Sequence, residues 1–184
     1  MLYLIAIAIG LAIGFARGGR LPHLVRLRLR WLWLVPVALL IQLLIFPLVS
    51  GAPLLPYAKA PLHILSYAIL VFWLVMNVRG LPIGALLAGA ACNLVTIASN
   101  GGYMPASTTA LQRAGLGYTA DRLQEGEILA NVIRMSPSTR LNVLGDWLYL
   151  PSWIPFATAF SIGDVLIMVG LAWLIARGMG DEDR

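Results

Sequence analysis

Charge is scarce in this chain. Only 11% of its 184 residues are Asp, Glu, Lys or Arg, while 60% are hydrophobic. A soluble domain carries about 25% charged and about 45–50% apolar residues. The shortage excludes a water-soluble globular domain, a disordered chain and a nucleic-acid-binding domain. With a mean hydropathy of +0.85, it points to an integral membrane protein. Lysine is nearly absent too: Lys59 is the single one among 13 basic residues. One cysteine, Cys92, excludes a disulfide framework and a cysteine metal cluster, and it reads as a small buried hydrophobe. There is no Gly-rich phosphate loop, no Ser-His-Asp order and no metal-ligand spacing, so no metal and no cofactor is expected. His63 opens an apolar run beside Pro61 and reads as a hydrogen-bonded structural residue rather than a ligand. His23 lies among arginines, which makes a bis-histidine haem site across a bilayer implausible.

What the chain has is long charge-free runs. A membrane helix needs roughly 20 apolar residues. Five runs approach that length, at about 1–16, 31–50, 61–78, 81–99 and 157–176, the last carrying the one charge of Asp164. The fold class expected is an all-α membrane protein: a single membrane domain over 1–184, with five transmembrane helices and an ordered extracytoplasmic loop of short helices, an outer lid, over 100–156. The first run differs from a signal peptide, whose positive charge precedes the apolar stretch; here Arg17 and Arg20 follow it. A retained first helix with its N-terminus outside is therefore expected.

The basic residues test the count, because cytoplasmic loops collect Lys and Arg. With Arg17, Arg20, Arg26, Arg28 and Arg30 inside, Arg79 and Arg177 also fall inside and Lys59 stands alone in an outer turn. The long loop is then outside, where Arg113, Arg122, Arg134 and Arg140 are balanced by Asp121, Glu125, Glu127 and Asp146. The expected location is a bacterial cytoplasmic (inner) membrane, C-terminus inside, with the lipid bilayer as first partner and no nucleic acid. Trp31, Trp33, Trp147, Tyr149 and Trp153 lie near span ends, as aromatic belts do. Small residues at Gly10 and Gly14, and at Gly80, Gly84, Ala88 and Gly89, form faces for close helix approach. Packing within the chain is the plain reading of these faces; membrane protein partners are the other.

Within the loop, Ser107-Thr-Thr-Ala-Leu-Gln starts a short helix that Gly115 or Gly117 stops. Asp121 caps a second, with Leu123, Ile128, Leu129, Val132 and Ile133 as its apolar face. Such helices lie on a membrane surface or cover a bundle mouth.

The polar residues in apolar sequence are the functional candidates. Asp164 sits in Phe160-Ser-Ile-Gly-Asp-Val-Leu-Ile-Met-Val-Gly170, and a carboxylate at a membrane helix centre costs about 2.5–3.5 kcal/mol on insertion scales. Two readings stand. In one, Ser161-x-x-Asp164 is a capping box, the helix begins at Ser161, and 147–160, with Pro151 and Pro155, forms a hairpin. In the other the helix starts near Ala157 and Asp164 faces a polar cavity. Asp146, in Asn142-Val-Leu-Gly-Asp146, is the second carboxylate. Converging, the two could split their protonation states as acid–base hydrolysis requires, so they are the candidate catalytic pair. Asn93, Asn100, Arg140 and Ser161 are the candidate ligand-binding residues of an outer cavity. Gln42 and Asn77 are expected to make interhelix hydrogen bonds.

Asn100-Gly-Gly-Tyr-Met-Pro105, Leu144-Gly-Asp146 with its following prolines, and Ser161-Ile-Gly-Asp164 resemble a family of uncharacterised bacterial multi-spanning membrane proteins. The last forty residues are also similar to the end of lipoprotein signal peptidase, an aspartyl intramembrane enzyme with a Phe-Asn-x-Ala-Asp-x-x-Ile-x-x-Gly pattern. Ser161 and Gly163 replace its Asn and Ala. Asp146 follows Asn142 at four residues rather than three and precedes Trp147 rather than Arg. The leading expectation is a non-enzymatic binding protein or accessory subunit of a larger membrane assembly, because no catalytic constellation is complete. The alternatives are an aspartyl-type intramembrane hydrolase using Asp146 and Asp164, and a small-molecule uptake component.

Overall fold

The computed structural model describes residues 2–27, 29–46, 55–79 and 82–180. It is mostly helical. Eight α-helices are found among the described residues: α1 Leu2–Ala16, α2 Leu21–Leu24, α3 Leu34–Ile45, α4 Lys59–Asn77, α5 Gly84–Ser99, α6 Thr108–Arg113, α7 Gly117–Gln124 and α8 Ile162–Gly178. Among these residues α4 alone is long and apolar enough to cross a bilayer by length and composition; α1, α3 and α5 are shorter apolar helices. The expected run 31–50 shrinks to α3, because residues 31–33 form turns, with Trp31 in the left-handed region at φ 51°. Residues 47–50, Arg28 and Gly80 lie outside the described residues.

The five long helices form a row in the order α3, α4, α5, α8, α1. Side-chain contacts fix their directions. Tyr3 meets Asp164, Gly10 lies on Ala172 and Ile175, and Gly14 lies on Met179, so α1 and α8 run parallel. Asn93 lies at Gly163 and Leu86 at Gly170, so α5 and α8 run antiparallel. Gln42 donates to Ser66 at 3.2 Å, and Arg30, just before α3, donates its N–H to Asn77 Oδ1 at 2.8 Å, so α3 and α4 are also antiparallel. His63, near the start of α4, bonds the carbonyl of Gly102, just past α5. Arg17, Arg20, Arg30, Arg79 and Arg177 therefore gather toward one end of the row, and Tyr3, Lys59, Asn100 and Asp164 toward the other. Trp73, Leu74, Ile83 and Ala90 form the buried core between α4 and α5.

At the end away from the arginines, residues 100–160 fold over the helices. Ser107 caps α6 by accepting from Ala110 N at 3.3 Å, and Gly115 (φ 78°) ends that turn. Asp121 is a correction: it lies inside α7 rather than capping a helix. Gly126 (φ 88°) stops the segment, and the stretch read as an apolar helical face becomes a strand. This strand, β2 (Val132–Arg134), pairs in parallel with β1 (Met104–Ala106), burying β1 completely. The lid is thus not a loop of helices alone. A second pair, β3 (Leu148–Tyr149) antiparallel to β4 (Ala159–Phe160), closes the 147–160 hairpin. Because β4 takes 159–160, the last helix starts at Ile162 rather than at 157.

Candidate functional site

Asp164 is placed by the start of α8. Ser161, fully buried, is the N-cap. Its Oγ accepts from Asp164 N at 3.0 Å, and its backbone N–H donates to Asp164 Oδ2 at 2.9 Å. This is the reciprocal capping box, and it satisfies helix N–H groups that would otherwise lack partners. The other oxygen, Oδ1, points away from the cap. It accepts from the Tyr3 hydroxyl at 2.7 Å and from Asn93 Nδ2 at 3.1 Å. The helix start is that of the capping-box reading, and the reading with a helix begun near Ala157 fails because residues 159–160 are strand; Asp164 nevertheless lines the cleft.

Two glycines make this possible. A Cβ on Gly163 would stand 1.9 Å from Asn93 Oδ1, and one on Gly89 would stand 2.4 Å from the Gly163 carbonyl. Without them α5 and α8 could not approach backbone to backbone, and the amide of Asn93 could not reach the first turn of α8. Asn93 is 1% exposed. Its Oδ1 lies 3.0 Å from Ser161 Oγ, whose single proton goes either there or to Asp164 Oδ2 at 2.9 Å. Tyr67 of α4 lies beside Asn93.

A cleft of about 450 Å³ ends on this cluster, a volume within the range of small-molecule sites. Leu2 and Tyr3 of α1 form one wall; Leu116 and the strand-side residues Phe156, Ala157, Thr158 and Ala159 form the rest, with Asp164 at its foot. Phe156 is held in the left-handed region at φ 65° and is 61% exposed. That conformation costs a bulky residue on the order of 1–3 kcal/mol, and such strain gathers at ligand clamps.

Asp146 approaches from the lid. Its backbone is fixed to β1, with Asp146 N on the Pro105 carbonyl at 2.8 Å and Ser107 N on the Asp146 carbonyl at 2.9 Å. Its Oδ1 is enclosed without a hydrogen-bond partner. Burial, and secondarily the neighbouring Asp164, push this carboxyl up to about 8. The two aspartates thus sense one another, yet Asp146 is not a wall of the cleft. No ion pair joins either to a basic side chain among the described residues.

The other candidates act elsewhere. Asn100 spends its amide on the backbone, accepting from Arg140 N and donating to the carbonyls of Arg140 and Thr96, each at 2.8 Å. It ties the lid to the end of α5, and Arg140 contributes main chain to that tie. His63 is buried, its Nδ1–H donating to the Gly102 carbonyl at 2.7 Å, with Phe46 and Tyr67 edge-on. Gln42 makes the expected interhelix bond, to Ser66 of α4, whereas Asn77 is a correction: its amide holds the backbone of Arg30, in the turn before α3, and donates to the Trp73 carbonyl of its own helix. Gly10 and Gly14 are covered by α8 within the chain, whereas Gly84 faces open space and Ala88 is exposed. Tyr3, Tyr67 and Phe156 were not singled out from sequence. The available signal was that a phenol placed in an apolar run needs a hydrogen-bond partner.

A family profile described as a family of unknown function, DUF5317, matches residues 26–176. The chain belongs to this family. No curated protein and no solved structure matches it. The DUF5317 match contains Tyr67, Asn93, Asp146, Ser161 and Asp164, while α1, which brings Tyr3 and Leu2 to the cleft, lies before it.

Proposed function

We propose that this DUF5317 chain is a five-span inner-membrane protein that binds a small ligand in an outward-facing cleft ending on Asp164, and that it works by binding rather than by catalysis. Several observations support the spans. The five long helices alternate in direction along the chain as the charge pattern requires, α1 and α8 run parallel, and Arg17, Arg20, Arg30, Arg79 and Arg177 collect at one end, which the positive-inside rule places in the cytoplasm, while the four lid arginines are matched by Asp121, Glu125, Glu127 and Asp146. Their outward faces are apolar: Leu4, Ile9 and Phe15 of α1, Leu39, Leu40 and Leu43 of α3, and Val169 of α8 are all exposed. The observation that carries the binding reading is a carboxylate with no cationic partner among the described residues, held at the cleft by hydrogen bonds from α1, α5 and the α8 cap.

A hydrolase acting through Asp146 and Asp164 is the second reading, and their electrostatic coupling favours it. Binding is the better fit because both Asp164 oxygens are already occupied by donors, which weakens a general base, and because Asp146 does not reach the cleft. An accessory-subunit role would use the exposed Gly84 and Ala88 face, and Gly80 beside it in sequence. An uptake role would use the same cleft.

Two experiments test the proposal. In a Cys92→Ala background, a membrane-impermeant maleimide applied to intact cells should label Ser138→Cys in the lid and leave Arg26→Cys unlabelled until the cells are opened; the reverse pattern overturns the orientation. Native mass spectrometry of the purified chain should then find a retained small molecule that Ala157→Trp, which fills the cleft, releases. Equal retention by both proteins overturns the site.

A further inference from the structure

We infer that the cleft takes the primary ammonium group of an amphiphile from the outer leaflet, with Asp164 as its counter-charge and the cleft walls around its upper chain. This rests on the reading of the cleft as a binding site and names its ligand class. Three observations converge on it.

The first is charge. Every partner of Asp164 is neutral: a phenol, an amide, a hydroxyl and a backbone N–H. Hydrogen bonds and the positive end of α8 stabilise the carboxylate, but no counter-ion among the described residues neutralises it in its half-buried site. Charges in such surroundings are normally paired, and here the open side is the cleft. A cation arriving there completes the pair, and an anion is repelled. An ammonium bearing N–H groups can also hydrogen-bond Oδ1 directly beside the Tyr3 hydroxyl, which a quaternary ammonium cannot do.

The second is the chemistry of the walls. Apart from Asp164, Thr158 and the Tyr3 hydroxyl, they are apolar, and two are aromatic. Tyr3 and Phe156 bring aromatic rings to the lining, and such rings attract an ammonium group that comes over a ring face within about 6 Å. A purely polar solute would gain nothing from Leu2, Leu116, Ala157 and Ala159.

The third is where the cleft opens. Its wall residue Tyr3, 39% exposed, lies on the α8-facing side of α1 with Ala6, Gly10 and Gly14, and the next residue, Leu4, belongs to the exposed apolar surface of α1 with Ile9 and Phe15. Phe156, 61% exposed, lines the cleft on the lid side, and Trp153, three residues before it in the chain, is 81% exposed. With α1 spanning the bilayer, the mouth lies at the interface and is continuous with a lipid-facing surface. A ligand can then reach Asp164 sideways while its chains stay among acyl tails. The cleft holds a headgroup, not a whole two-chain lipid.

The test uses the full chain in detergent, offered phosphatidylethanolamine, phosphatidylcholine and phosphatidylglycerol in equal amounts, with retention read by native mass spectrometry and thermal shift. Wild type should retain phosphatidylethanolamine at least about tenfold over the other two, and Asp164→Asn should bring the three to within about twofold while keeping the wild-type circular dichroism spectrum. Ala157→Trp should abolish retention of all three. Equal retention of the three lipids by wild type, still abolished by Ala157→Trp, overturns the ammonium assignment and leaves the binding site standing. Displacement of the retained lipid by millimolar ethanolamine as readily as by lipid overturns the membrane source. Retention indifferent to both substitutions overturns the ligand and the site together.

Discussion

Replacing Asp164 by Asn and by Ala separates its charge from its hydrogen bonds. In Asp164→Asn the network can turn over without losing a contact. The new amide nitrogen takes the Oδ1 position. Asn93 flips its own amide so that its oxygen faces that nitrogen and its NH₂ faces Ser161 Oγ. The Tyr3 hydroxyl changes from donor to acceptor, its proton turning to the cleft. The remaining oxygen stays on Ser161 N–H and Oγ–H, so the capping box survives. In Asp164→Ala nothing replaces the acceptors. Ser161 N–H and the Asn93 NH₂, both buried, are left without partners, at about 1–3 kcal/mol each. Both variants remove the same charge, so the cost of holding a carboxylate in apolar surroundings cancels between them. The difference isolates the hydrogen bonds: Asn should be more stable than Ala by about 2–6 kcal/mol. At roughly 2–4 °C per kcal/mol for a chain of this size, that is an apparent Tm gap of at least about 4 °C, measured by thermal unfolding in one detergent with both variants side by side. Coincident melting curves would refute the reasoning. Either the carboxylate then holds nothing, or the network cannot turn over.

Three further outcomes follow from the same geometry. Gly163→Ala should weaken or prevent folding, because its Cβ would overlap the Asn93 amide; overpacking of this kind costs about 1–3 kcal/mol or more. Gly84→Ala, in open space, should be neutral or slightly stabilising, and equal losses at both positions in thermal unfolding would contradict the crossing described. The Asp146 carboxyl is pushed up to about 8 in the fold and ionises near 3.9 when unfolded. Between those values the unfolded chain binds fewer protons than the folded one, so stability should fall as pH rises, by up to about 1.4 kcal/mol per pH unit, and level off above about 8. Asp146→Asn should flatten that slope, and a slope unchanged in the variant would rule out Asp146 as its source. Ser107→Ala removes the cap of α6 and should cost about 1 kcal/mol, visible as faster amide exchange in 108–113 with the helix row unaffected.

The helix row was legible because its signal is local. Apolar runs locate α1, α3, α4, α5 and α8; Ser107 marks the start of α6, while Ser161-x-x-Asp164 offers the start of α8 as one of two readings, between which the β3–β4 pair decides. The lid was less legible because its order comes from pairing at a distance. Met104 and Val132 are neighbours across β1 and β2, yet nothing near either residue announces the other. Ile128, Leu129, Val132 and Ile133 satisfy a helical pattern and a short strand equally well, and the decision falls to β1. The site was legible on α5 and α8, where Asn93 and Asp164 interrupt apolar sequence. It was illegible on α1 and α4. Tyr3 and Tyr67 pass for ordinary interfacial aromatics until the fold shows what lies beside them.

Asp164 shows why such a residue escapes a choice between structure and function made from sequence. A capping box uses one carboxylate oxygen and fixes the plane of the group. That fixed plane aims the second oxygen across the α5–α8 crossing, where Gly89 and Gly163 have already brought Asn93 within reach. The helix start therefore preorganises the cleft's charged atom, with no flexible side chain left to order when a ligand binds, and preorganisation of this kind is what spares affinity its entropic cost. It follows that the charge can be deleted while the cap is kept, but the cap cannot be deleted while the charge stays aimed. Substitutions at Ser161 should accordingly impair the cleft through the orientation of Asp164, in proportion to the helix stability they remove.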